Sequence, residues 1–125
     1  VRRLIVAGLL VVAACTQVAD GSGRLDVTLR DFEIELGADT VTAGVVSFTV
    51  VNEGEDHHTL VVESIDHGAV LAAVPALAPG ESATLTVELA PGRYFLTCRV
   101  VETEEGGVLE DHLEMGMVTV LTVEA

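Results

Sequence analysis

The chain has no lysine and no tryptophan, one tyrosine, three phenylalanines, three prolines and two cysteines in 125 residues. Each scarcity excludes something. Six arginines against twenty acidic residues leave a net charge of −14, so nucleic acid and anionic lipid head groups are repelled, and the acidity either favours basic partners or serves solubility or a saline habitat. Two cysteines cannot supply the dense disulfide framework of a small secreted scaffold. With so few aromatics, a core must be built mainly from valine and leucine, and a chain of this length carries one domain rather than two. No apolar run is long enough to span a bilayer as a helix, which takes roughly 20 residues.

The longest such run, residues 4–14, follows Val1-Arg2-Arg3 and ends in small residues at Cys15. A basic start, a short apolar stretch and small terminal residues describe an export signal. Val12-Ala13-Ala14-Cys15 resembles the lipobox of bacterial lipoproteins, which implies a leader over residues 1–14 and lipidation of Cys15. It also implies an anchor at the outer face of the bacterial cell membrane, or on its periplasmic side. Polar, glycine-rich residues 15–23 then form a flexible tether, and residues 24–125 form the folded domain. Losing Arg2 and Arg3 with the leader takes the charge from −14 to −16. Cys98 is then the lone thiol of the domain, and a lone thiol in an exported protein calls for a role.

From Arg24 onward the apolar residues alternate. Leu25, Val27 and Leu29 set one phase, Phe32, Ile34 and Leu36 another after Asp31, and Leu85, Val87 and Leu89 a third. Valine-rich runs at residues 45–51 and 118–123 frame the rest, and Pro79-Gly80 and Pro91-Gly92 mark turns. Period-two alternation broken by regular turns predicts an all-β Greek-key sandwich. Residues 68–78 resist this pattern: Val70, Leu71, Val74 and Leu77 lie near helical spacing, which predicts one short helix or an irregular crossover.

Cys98 shares its strand phase with Tyr94 and Leu96, so it is either a buried structural thiol or a ligand. His58 follows the 45–51 strand and its Asn-Glu-Gly turn, and His112 and Met117 precede the last strand. One thiol, two imidazoles and a thioether make a soft, mixed set that suits copper, with His₂Cys in a plane and a weak axial Met. Zinc could use the same donors, although structural zinc sites rarely take a thioether. A thiol-protease reading of Cys98 with His112 lacks a helix N-terminus to activate the thiol, and the four histidines lack the helical zinc spacing.

Three stretches resemble the cupredoxins, small blue-copper proteins of the plastocyanin and azurin type. They are Asn52-Glu53-Gly54-Glu55-Asp56-His57-His58, then Tyr94-Phe95-Leu96-Thr97-Cys98 behind its Pro-Gly turns, and His112 with Gly116-Met117 before a Val/Leu/Thr strand. The resemblance implies one copper ion held by His58, Cys98, His112 and Met117, and the position of Asn52 just before the site suggests that it hydrogen-bonds across to the cysteine loop. His57 and Met115 are the neighbouring alternatives, disfavoured by spacing. In typical members the second histidine follows the cysteine closely; here thirteen residues intervene, including Glu102, Glu104, Glu105, Glu110 and Asp111 around Gly106-Gly107. A hairpin excursion that returns His112 to the site is expected, since loop closure grows costly only slowly with length.

The implied function is outer-sphere electron transfer by a monomeric, non-enzymatic carrier that meets a redox protein with a basic surface. Copper storage, delivery or resistance is a second reading, and a metal-free interaction module is a third.

Overall fold

The structure, a computed structural model, describes residues 23–125. The expected leader at 1–14, the lipidation site Cys15 and all of the tether but Gly23 lie outside the described residues. Eleven strands follow in order: β1 (Arg24–Arg30), β2 (Glu33–Leu36), β3 (Thr40–Thr42), β4 (Gly44–Asn52), β5 (His58–Ser64), β6 (Ala69–Leu77), β7 (Ser82–Leu89), β8 (Gly92–Thr97), β9 (Val101–Thr103), β10 (Leu109–Asp111) and β11 (Val118–Glu124). One sheet runs β2-β1-β4-β7 and the other β3-β11-β8-β5-β6, while β9 and β10 form a separate hairpin. The chain crosses between the two main sheets after β2, β3, β4, β6 and β7. This is the predicted β-sandwich.

The predicted alternation is what closes it. Leu25, Val27 and Leu29 of β1 and Val46, Phe48 and Val50 of β4 turn inward from one sheet. Leu60, Val62, Leu96, Leu121 and Val123 meet them from the other. Each such side chain contributes about 1.5–3 kcal/mol on burial, and the scarcity of aromatics leaves Phe48 as the largest fully buried one. Tyr94 is buried and its hydroxyl donates to the Ala90 carbonyl at 2.6 Å, pinning the turn from which β8 runs towards Cys98.

Residues 68–78 correct the expectation of a helix or crossover, for they form β6, an edge strand. Val70 and Leu71 face solvent, whereas Val74 and Leu77 are both buried because the register shift between them puts residues of opposite parity on the inner face. Pro75 cannot donate to a ladder and is tolerated at an edge. Pairing with β5 shifts register twice, once between His58 and Leu60. Among the described residues the only helical turn is a short 3-10 turn at Glu105–Gly107.

Candidate metal centre

One end of the sandwich gathers four of the predicted residues. His58 opens β5 with the phase of Leu60 and Val62, so its imidazole enters the interior; His57, one residue earlier, is exposed. Cys98 follows β8 on the inward phase of Tyr94 and Leu96. His112 and Met117 lie between β10 and β11, where Gly116 takes a left-handed φ of +100° that lets the chain turn back within a few residues. The Asp111 carboxylate accepts from the Leu113 and Glu114 amides and tightens that loop. His58, Cys98, His112 and Met117 are all fully buried, whereas Met115 is 47% exposed.

Backbone bonds tie Cys98, His112 and Met117 together. The Cys98 amide donates to the Met117 carbonyl at 3.1 Å, the Met117 amide to the His112 carbonyl at 3.0 Å, and the His112 amide to the Val100 carbonyl at 3.0 Å. The acidic insertion is thereby closed off as the expected hairpin: β9 and β10 pair from Val101–Asp111 to Thr103–Leu109 and return the chain to His112.

Three donor atoms face one another. His58 Nδ1 and His112 Nδ1 are 3.1 Å apart, and Cys98 Sγ lies 3.8 and 3.7 Å from them. The point equidistant from the corners of that triangle is about 2.1 Å from each, within the roughly 2.0–2.3 Å of bonds from a metal ion to imidazole nitrogen or thiolate sulfur. Two imidazole nitrogens at hydrogen-bond distance, with a thiol closing the ring in a dry interior, are a poor core and a good cage. The residues fit copper: two nitrogens and a sulfur in a plane, with a buried thioether on the same loop, are a soft set.

The surroundings orient the donors. The Thr59 amide points at Cys98 Sγ at 3.4 Å, and the Thr59 hydroxyl lies 3.8 Å from it. Thr59 sits where the β5–β6 register shifts, so its amide is re-aimed from the ladder to the sulfur. This corrects the role foreseen for Asn52. Its side chain instead donates to the Asp56 and Leu77 carbonyls at 2.8 Å each and accepts from the Gly54 amide at 2.9 Å, shaping the loop that leads into His58.

The β1–β2 turn supplies two residues that sequence reasoning missed. Asp31 Oδ1 lies 2.8 Å from His58 Nε2 and accepts from the Glu55 and Asp56 amides. Partial burial pushes this carboxyl up, but the His58 bond and the two amides outweigh it and hold the group below its ordinary 3.8. Phe32 packs edge-on against His112, with ring centroids 5.5 Å apart. It does so from a φ of +65°, a conformation that bulky residues rarely adopt. The phase break at Asp31 was the available signal for a turn there. The outer nitrogen of His112, by contrast, approaches Glu110 at 3.3 Å without forming a hydrogen bond.

A buried mononuclear centre of two imidazoles and a thiol at one end of a two-sheet β-sandwich is the hallmark of the blue-copper class of proteins. The chain belongs to this class through the family described as the cupredoxin-like domain, whose profile matches residues 3–109, and its cofactor is one copper ion. Auracyanin from Roseiflexus castenholzii is 22% identical with a TM-score of 0.57, covering 90% of this chain and 100% of that one. Rusticyanin from Thiobacillus ferrooxidans is 14% identical with a TM-score of 0.57, over 86% and 80% of the two chains. A multicopper oxidase is 16% identical with a TM-score of 0.52, over 81% of this chain and 41% of the oxidase. At these identities the likenesses establish the fold. No curated protein matches the sequence.

Proposed function

We propose that this protein is a type 1 copper electron carrier in which His58 Nδ1, His112 Nδ1, Cys98 Sγ and the Met117 thioether would hold the ion. The observation that carries this reading is the buried triangle of donors with its centre about 2.1 Å from each corner. Copper held there would supply one-electron chemistry in two oxidation states. The protein's share is to keep the donors in one arrangement for both. Asp31 and Phe32 fix the two rings, Thr59 steadies the sulfur by hydrogen bonding, and complete burial excludes water. Such rigidity suits a carrier better than a storage or delivery protein, which must release its ion.

In this reading the protein moves electrons and transforms no substrate, so it is a carrier and not an enzyme. Its partner is a redox protein with a basic surface, suited to the acidic exterior. The Cys15 lipid would hold it at the outer face of the bacterial membrane as a monomer. Voltammetry of the copper-loaded protein tests the function: fast, reversible one-electron waves are expected, and slow or irreversible ones would favour storage. Membrane fractionation tests the anchor, since Cys15→Ala should release the protein into the soluble fraction.

A further inference from the structure

We propose that the carboxylates of Asp56, Glu102 and Glu110, with the outer nitrogen of His112, form a second metal site for a divalent cation that takes oxygen and nitrogen donors. Ligand atoms of these four residues lie within 4.8 Å of one another. They come from separate places: Asp56 from the β4–β5 loop, Glu102 from β9, Glu110 from β10 and His112 from the loop beyond. Glu102 and Glu110 are direct cross-strand partners, an arrangement in which like charges destabilise a hairpin, and Asp56 adds a third. All three are partly buried, and among the described residues no arginine pairs with any of them.

An independent observation points to a ligand. His112 is fully buried, and its Nε2 has no hydrogen-bond partner while facing the cluster 3.3 Å from Glu110 Oε1, which is also unpartnered. His58, its counterpart, has the same atom satisfied by Asp31. A buried polar atom left without a partner bears its full desolvation penalty, and a cation held by the three carboxylates would remove it along with their mutual repulsion. One nitrogen and three oxygens suit manganese or zinc rather than a soft ion.

Where His112 also serves the inner centre, a step that rests on the copper reading, the two sites share one ring. A neutral imidazole has a single lone pair, so copper at Nδ1 leaves Nε2 protonated and the outer ion resting on carboxylates alone. Each ion then weakens the other, and to the same degree.

Mn²⁺ is the probe, titrated into the full chain while the paramagnetic-resonance signal of the free ion is followed. The copper-free protein should bind one Mn²⁺. Glu102→Gln and Asp56→Asn should each weaken binding at least tenfold with unchanged circular dichroism, and Glu104→Gln, on the same hairpin but outside the cluster, should leave it unchanged. Copper loading should weaken Mn²⁺ binding. Absent binding, or equal weakening by Glu104→Gln, would overturn the site in favour of diffuse attraction to an acidic surface. Equal affinity with and without copper would remove His112 from it. Site-specific Mn²⁺ binding by a chain that gives no blue-copper spectrum would uphold the outer site and defeat the electron-carrier reading alone.

Discussion

The two histidines face the same centre through the same atom, yet their outer sides differ. Behind His58, Asp31 accepts at 2.8 Å and is itself held by two backbone amides. Behind His112, Glu110 stands at 3.3 Å without a hydrogen bond, and the ring is held instead by Phe32 and by its own backbone. The His58 side is built from the sandwich and the short β1–β2 turn. The His112 side hangs from a hairpin rich in carboxylates. Orientation of a ligand by a hydrogen-bonded outer partner is worth about 10–100-fold in metal affinity, so the first histidine should carry the site's rigidity and the second its responsiveness.

The largest break in this contrast should come from Gly54. A Cβ there would lie 2.8 Å from His58 Nε2 and closer still to the Asp31 carboxylate, so Gly54→Ala forces that pair apart. Overpacking of this kind costs about 1–3 kcal/mol, and copper affinity should fall at least as far as in Asp31→Asn. That second variant should lose about 10–100-fold in copper affinity by competition titration, whereas Glu110→Gln should change it by less than about threefold. Equal losses in the two would erase the distinction between the histidines.

Acid should act on the His58 side as well. The Asp31 carboxyl is held below 3.8 in the folded protein, so the folded state binds its proton less readily than the unfolded chain. The stability this contributes is complete above 3.8 and is lost as pH falls through the lower, folded value. Urea denaturation of the copper-free protein should therefore show an acid limb below 3.8 that is shallower in Asp31→Asn.

The smallest effect concerns Phe32. Glycine is at ease at a φ of +65° and alanine is not, so Phe32→Gly should be more stable than Phe32→Ala by about 1 kcal/mol, the reverse of the usual order. Thermal unfolding of the two variants decides it.

Much of this was legible in the sequence because it is periodic or local. Alternation of Leu25, Val27 and Leu29 foretold β1 and its inward face, and the phase of Tyr94, Leu96 and Cys98 placed the thiol inside. Burial of His58 with exposure of His57 follows the same alternation, whereas Met115 and Met117 share a parity and are parted by the turn at Gly116. What escaped was long-range or ambiguous. Nothing near Asp31 or Phe32 in the chain says that their turn faces residues 27 and 80 positions further on. In residues 68–78, Val70, Leu71, Val74 and Leu77 satisfy a helix and an edge strand equally well, and tertiary pairing with β5 decided between them. Asn52 and Thr59 are both polar residues near the site, and only the register shift beside His58 shows which one reaches the sulfur.

The most direct measurement is the visible and paramagnetic-resonance spectrum of the copper-loaded protein beside that of Cys98→Ser. A buried thiolate in the plane of two imidazoles predicts an intense visible band and a narrow copper hyperfine pattern, both lost in the variant. A colourless protein that retains no copper, or a spectrum that Cys98→Ser leaves unchanged, would contradict a copper centre at His58, Cys98 and His112.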